Sequence, residues 1–314
     1  MRIASLACAI WAPSLAVQAF DLQGHRGTRG LAPENTLAGF RAAEALGVTT
    51  LETDLAVTRD DVLVISHDPV LNPDLVRLDG QWIAPPGPPI RSLGLAELER
   101  YDVGRVNPAS KYARQFPEQK PADGERFPTL ERFFATARPD VRFNIEIKTD
   151  PTRPALTIDP ERFAALAVDA IRKAGAAPRS TLQSFDWRGL VAARRLAPEI
   201  PTGCLSIESS GMDTVGRGRE GGSPWLAGLD LAAHGGSLPR LAQAAGCAVW
   251  SPFWRNVTGE TVKEAHALGL RVVPWTVNSP TEMARLIDLG VDGLITDYPD
   301  RAKPVLAEKG LKPR

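Results

Sequence analysis

An excess of charge of one sign is missing from this chain: 37 Lys and Arg residues balance 37 Asp and Glu residues over 314 positions, at a sequence pI near 6.9. A surface without net positive charge offers no footing for nucleic acid or for an anionic membrane, so neither is an expected partner. Cysteine is scarce, with three in all, which excludes a disulfide-stapled miniprotein. Neither Cys nor His clusters in the way a structural zinc site requires. An apolar run able to span a bilayer is lacking too, because the N-terminal stretch from Ile3 to Val17 falls short of the ~20 residues a span needs. What is there, 43% hydrophobic and 24% charged residues, describes a soluble globular chain with the length for a sizeable core, and excludes disorder.

The first residues differ from the rest. Arg2 is the only charge before Asp21, an apolar run follows, and Val17-Gln18-Ala19 supplies small residues at the cleavage positions. The expectation is a secretory signal over 1–19, cleaved after Ala19, with a mature chain 20–314 that is periplasmic or secreted. Cys8 would leave with the signal, while Cys204 and Cys247 remain. Export permits a disulfide between them, but spacing carries no geometry, and two unpaired buried thiols are the expected state.

Short β-rich runs then alternate with helix-like stretches. Strands are expected near 21–25, 50–56, 143–149, 181–185, 203–207, 248–251, 271–277 and 293–297. Between them Leu37, Phe40, Ala43 and Leu46 recur at near-helical spacing, with Asn35 as N-cap and Gly47 as C-terminal stop. Met283, Leu286 and Ile287 repeat the pattern before Gly290. Eight strand-then-helix units imply a closed parallel TIM (β/α)8 barrel, a single domain whose reactive residues sit at the C-terminal ends of its strands. Two segments break the rhythm. Residues 69–127 are Pro-rich, contain one helical patch over 95–101, and read as an insertion after the second strand. Residues 209–222, rich in Gly and charge, read as a mobile loop on the same barrel face.

Chemistry gathers where these strands end. His25-Arg26-Gly27 closes the first. Glu52-Thr53-Asp54 closes the second with both carboxylates on one face, because side chains at i and i+2 of a strand point the same way. His67-Asp68 follows the short strand 62–66, and Glu146-Ile147-Lys148 repeats the one-face arrangement. Charged pairs aimed into a barrel are costly unless matched by a metal, an opposite charge or a ligand. Three carboxylates from adjacent strand ends supply hard oxygen ligands suited to Mg²⁺ or Ca²⁺. Arg26 and Lys148 add positive charge suited to a phosphate, and two His at one mouth suit acid and base work. His266, on a helix face, and His234, in a loop, have no such company.

These residues resemble the glycerophosphodiester phosphodiesterases of secreted bacterial type. The resemblance rests on His25-Arg26-Gly27, Pro33-Glu34-Asn35-Thr36, Glu52-Thr53-Asp54, His67-Asp68, Glu146-Ile147-Lys148, Trp275-Thr276-Val277-Asn278 and Gly290-Val291-Asp292-Gly293-Leu294-Ile295-Thr296-Asp297-Tyr298-Pro299, in order along nearly all of the mature chain. It implies hydrolysis of small-molecule glycerophosphodiesters to glycerol 3-phosphate and an alcohol, with one divalent cation, Ca²⁺ or Mg²⁺. By that resemblance Glu52, Asp54 and Glu146 hold the metal, His25 and His67 are the acid and base, and Arg26 and Lys148 bind phosphate. Trp275 packs on the glycerol or serves as a core aromatic, Glu34 touches or backs the site, and Asp297 lies at its rim. Two other readings stay open: a phospholipase D-like transferase acting on intact lysolipid, and a non-catalytic phosphodiester-binding barrel. Stable membrane insertion is not expected, and oligomeric state is not legible.

Overall fold

The computed structural model describes residues 20–313, so the signal expected over 1–19, and Cys8 with it, lies outside the described residues. Twelve strands are described. The first three are β1 (Asp21–Gly24), β2 (Thr50–Val57) and β3 (Leu63–Ile65); three two-residue strands follow, β4 (Arg77–Leu78), β5 (Gln81–Trp82) and β6 (Tyr101–Asp102). The last six are β7 (Arg142–Ile147), β8 (Ser180–Ser184), β9 (Thr202–Ser206), β10 (Val249–Pro252), β11 (Arg271–Val272) and β12 (Gly293–Thr296). Eight of them run parallel in the order β11-β10-β9-β8-β7-β2-β1-β12. The two outer members meet through backbone bonds from Asp292 N to the Val272 carbonyl (2.9 Å) and from Val277 N to the Ile295 carbonyl (2.9 Å), which closes the TIM barrel.

The seventh barrel strand, β11, is shorter than the sequence implies. The regular strand ends at Val272, although Val273 N and Trp275 N still bond the Trp250 and Pro252 carbonyls. Pro274 has no N–H to give, which interrupts the ladder. The helix after β1 spans Leu37–Ala45, and its N-cap is Thr36, whose hydroxyl accepts from Gly39 N, rather than the expected Asn35. Asn35 is turned inward with φ 55° and spends its side chain elsewhere. Gly47, at φ 77°, ends the helix as expected.

The main core lies between the barrel wall and its helices, where Leu22, Leu51, Phe143, Leu182 and Leu294 are fully buried on the outward face of the strands. Phe40, Phe133, Phe134 and Phe143 form an aromatic cluster with ring centroids 4.4–5.9 Å apart. The inward face is different. Gln23, Asn144, Gln183 and Ser251 fill the barrel below its mouth and bond one another or the backbone.

Residues 69–127 form a small body of their own, with β4 antiparallel to both β5 and β6 and a short helix over Leu95–Leu98. The expected patch 95–101 is cut short because Tyr101 joins β6. A second apolar cluster, including Val64, Leu71, Val76, Ile90, Leu98 and Phe127, seats this body against β2 and β3 beside the barrel mouth. One correction concerns the cysteines: Cys204 and Cys247 form a disulfide, not two free thiols. They are 43 residues apart in sequence, but the strand-helix-strand path from β9 to β10 returns the chain so that their Cα atoms lie 5.9 Å apart.

Candidate active site

β2 is buried on both faces, and its inward pair Glu52 and Asp54 stands beside β7 in the register Glu52↔Asn144 and Asp54↔Glu146. Alternation on one strand and register on the next thereby bring Glu52, Asp54 and Glu146 together, each offering a carboxylate oxygen within 4.8 Å of the others. All three are buried. Burial and the neighbouring Asp54 push the Glu52 carboxyl well above its ordinary range. Burial raises Glu146 to about 7, with Asp54 adding to the rise and Lys148 opposing it. Asp54 is held low against its own burial by Lys148, Arg26 and His67. A carboxylate cluster that cannot fully ionise by itself fits a hard divalent cation, which would supply the missing positive charge.

The basic residues lie against that cluster. Lys148 Nζ is 3.1 Å from Glu146 and 3.6 Å from Asp54. Arg26 donates to Glu34 Oε1 at 2.9 Å, and its Nε lies 3.4 Å from Asp54. Its own backbone is held at φ 51° so that its N–H can reach Glu52 Oε2 at 2.8 Å. Gly27 makes that turn possible: it has φ 87°, and a Cβ there would lie 2.8 Å from the Gly39 carbonyl carbon.

Two imidazoles flank the cluster, each gripped at Nδ1. His25 Nδ1 lies 2.6 Å from Asp297 Oδ1, with Nε2 4.0 Å from Glu52. His67 Nδ1 lies 2.7 Å from Asp68 Oδ1. Asp297 is held ionised against its burial by Arg29 and His25, and Asp68 by its bond from His67. An ionised carboxylate only accepts, so each ring places its proton on Nδ1 and turns a bare Nε2 outward. Burial and Arg29 lower His25 to about 4 despite Asp297. Burial, Arg26 and Lys148 lower His67 to about 3. Both rings are therefore neutral near pH 7 in the absence of ligand.

The structure brings together all the residues singled out at the first, second and third strand ends. Asp297, expected at the rim, is instead fully buried under His25, because β12 pairs with β1 in the register Gly24↔Thr296. Trp275 is half-buried at the mouth, its ring 5.2 Å from Phe185 and 5.7 Å from Phe253, its Nε1 donating to the Ser251 carbonyl. His266 bonds Asp292 and His234 bonds the Asp230 carbonyl, both away from the cluster.

Several contributors were not singled out in sequence. Arg29 forks onto Asp297 at 2.9 and 3.0 Å, and Asn278 donates to the same carboxylate at 2.7 Å. Asn35 donates to Asp54 and Gln183 to Glu52, each at 2.9 Å. Asn35 and Asn278 sit inside quoted motifs, which was signal enough to find them; Arg29 and Gln183 had none.

A parallel barrel with neutral imidazoles, paired cations and a carboxylate cluster at its C-terminal mouth defines an enzyme of phosphoryl chemistry rather than a structural barrel. The model of the glycerophosphoryl diester phosphodiesterase family matches residues 25–301, and the chain belongs to that family. Among relatives, a glycerophosphodiester phosphodiesterase of Caldanaerobacter subterraneus subsp. tengcongensis is 29% identical over 281 residues, covering 88% of this chain and 93% of that one. A solved structure from Silicibacter pomeroyi DSS-3, assigned to the glycerophosphoryl diester phosphodiesterases, superposes with a TM-score of 0.84 at 34% identity, covering 95% and 96% of the two chains. A phosphodiesterase of Oleispira antarctica, solved with the product sn-glycerol-3-phosphate, shares the fold at a TM-score of 0.66 and 24% identity over 91% and 96% of the chains.

Proposed function

We propose that this protein hydrolyses glycerophosphodiesters to glycerol 3-phosphate and an alcohol, using a divalent cation held by Glu52, Asp54 and Glu146. The observation that carries the reading is the pair of carboxylate-anchored imidazoles, His25 and His67, on either side of a carboxylate cluster that Arg26 and Lys148 do not fully balance. The product seen on the Oleispira relative and the names of the bacterial relatives support the same substrate class. The cation, Ca²⁺ or Mg²⁺, would polarise phosphate and hydroxyl oxygens as a Lewis acid.

The chain's own groups then divide the work. One imidazole Nε2 takes the proton of the glycerol 2-hydroxyl, whose oxygen bonds phosphorus as the bond to the alcohol breaks. The other imidazole, which takes up a proton at Nε2 from solvent as the anionic diester binds beside it, gives that proton to the departing oxygen. Water opens the resulting cyclic phosphate in the reverse sense. Arg26 and Lys148 offset charge on the phosphate oxygens. Ser66, next to His67 in sequence, donates to the Asp68 carbonyl instead of facing a base, so it is not placed as an activated nucleophile. Holding the 2-hydroxyl in line makes attack intramolecular, which lowers the barrier by roughly 7–11 kcal/mol.

Export to the periplasm or outside is part of the proposal. The apolar N-terminal run supports it, as does the Cys204–Cys247 disulfide, since such bonds persist in oxidising compartments. No described helix is long and apolar enough to cross a membrane.

Purified protein incubated with glycerophosphocholine, with lysophosphatidylcholine and with a 2-deoxyglycerol analogue, with and without chelator, tests the reading. The expected result is chelator-sensitive release of glycerol 3-phosphate from the first and far slower cleavage of the deoxy analogue. Faster turnover of lysolipid would make intact lipid the substrate. Equal turnover of natural and deoxy diesters would show direct attack by water.

A further inference from the structure

Each imidazole owes the orientation of its Nδ1 to a carboxylate, and both carboxylates are tied to the body formed by residues 69–127. On the His67 side the tie is direct, since Asn72 Nδ2 donates to Asp68 Oδ2 at 2.8 Å. On the His25 side it passes through Arg29. The Arg29 guanidinium forks onto both oxygens of Asp297, at 2.9 and 3.0 Å, and Asp297 Oδ1 lies 2.6 Å from His25 Nδ1. The same guanidinium lies over the ring of Phe116, 4.7 Å from its centroid. Phe116 is buried just past the short helix Lys111–Gln115 and packs on Tyr112, with ring centroids 5.1 Å apart.

The segment that carries Phe116 also grips the loop after β1 by its backbone. Gln119 Nε2 donates to the Arg29 carbonyl at 2.7 Å, and Lys120 N to the Leu31 carbonyl at 2.9 Å. Arg29 is thereby fixed at both ends, its carbonyl by Gln119 and its guanidinium between a carboxylate and a ring face. The negative face of the ring attracts the cation and limits the many rotamers an arginine can adopt. Asn278 donates to Asp297 Oδ2 alone. Among the described residues, Arg29 is therefore the side chain that shares Oδ1, the oxygen holding His25, with the imidazole itself.

We infer that Phe116 is a positioning residue for His25, acting through Arg29 and Asp297, so that the body formed by residues 69–127 braces both imidazoles from outside the barrel. Without the ring face, Arg29 is supported on one side only, and the aim of His25 Nε2 loosens. The loss falls on proton transfer and spares the cation site, because small misplacements of a reacting group are costly to turnover. The inference rests on the phosphodiesterase reading for its kinetic consequence, while the orientation of His25 can be read apart from it.

The experiment compares Phe116→Leu, which keeps apolar bulk without a ring face, with Phe116→Tyr, which keeps the face. Steady-state kinetics on glycerophosphocholine, metal affinity and the NMR signal of the His25 Nδ1 proton, identified by its loss in His25→Ala, are followed in each. Phe116→Leu should lower kcat by about threefold to tenfold with KM and metal affinity within about twofold, and should shift or broaden the His25 signal. Phe116→Tyr should keep kcat within about twofold and leave the signal in place. Arg29→Lys, which keeps the charge but not the fork, should lower kcat by about tenfold. An unchanged kcat in Phe116→Leu, an equal loss in Phe116→Tyr, or a loss of kcat accompanied by loss of metal affinity would overturn the inference and leave Phe116 as packing only. Should the native chain cleave no diester, the phosphodiesterase reading fails by itself. The His25 signal then decides: displacement in Phe116→Leu but not in Phe116→Tyr upholds the brace, and an unmoved signal in both overturns it.

Discussion

Two buried acidic centres stand at opposite ends of the same barrel, and they are balanced in opposite ways. At the N-terminal end, Asp21 accepts from Thr49, Thr50 and Gln23 and is met by Arg142 at 3.0 Å and Arg271 at 3.2 Å. Burial pushes its carboxyl up, but the two arginines and the hydroxyls outweigh it and hold it below the ordinary 3.8. At the mouth, three carboxylates share Arg26 and Lys148, and two of them are pushed up. The first centre is complete as it stands. The second is short of positive charge, which is the physical mark of a site awaiting a ligand.

The largest expected effects break the second centre. Glu52→Gln or Asp54→Asn should abolish metal binding and lower turnover to background while the fold survives, because each removes an oxygen ligand and relieves crowding of like charge. Metal analysis and circular dichroism check this, and full activity in excess chelator would refute it. Next, His25→Ala and His67→Ala should each reduce kcat by roughly 10² to 10⁴-fold with metal binding largely kept. His266→Ala, whose partner Asp292 is remote from the cluster, should change little. If His67 proves as dispensable as His266, the division of roles is wrong.

A pH titration sharpens the comparison further. Glu146 binds its proton up to about 7 in the metal-free protein, and a cation needs the carboxylate form, so metal binding below that pH displaces a proton. Apparent affinity should fall by up to about tenfold per pH unit below neutrality and level off above it. Calorimetry in buffers of different ionisation enthalpy would register the released proton, and pH-independent affinity between pH 5 and 8 would contradict the assignment.

The smallest effect on activity belongs to the other centre. Asp21→Asn should leave turnover nearly intact and cost about 1–2 kcal/mol of stability at neutral pH, since both arginines are over a third exposed and screened by water. The native pKa is lowered, so this contribution is present above 3.8 and is lost as pH falls through the lower native value. Denaturant melts of the two chains should therefore converge in acid. A gap that persists there would mean that packing, not charge, is what Asp21 contributes.

Most of the site was legible because its residues act through short-range rules. Glu52 and Asp54 share a face by strand alternation, and His25 and His67 each lie just past the end of a short strand, β1 and β3. Glu146 and Lys148 repeat the same i, i+2 logic on β7. The parts that escaped depend on contacts between distant segments. Thr36 rather than Asn35 caps its helix because Asn35 is drawn to Asp54 across the barrel mouth. Arg29 meets Asp297 across 268 residues of chain.

Alternation of strand and helix, hydrophobic periodicity and the order of the polar motifs sufficed, within the sequence alone, to establish a parallel barrel with an acidic and basic mouth. Barrel closure decided the rest. Only when β12 lies against β1 does Asp297 pass from the rim to a buried anchor for His25, and only the return from β9 to β10 joins Cys204 to Cys247. Local patterns specify which face a side chain takes, because backbone geometry repeats every two or 3.6 residues. They carry no distance between segments far apart in the chain, and burial, charge balance and proton affinity are all set by those distances.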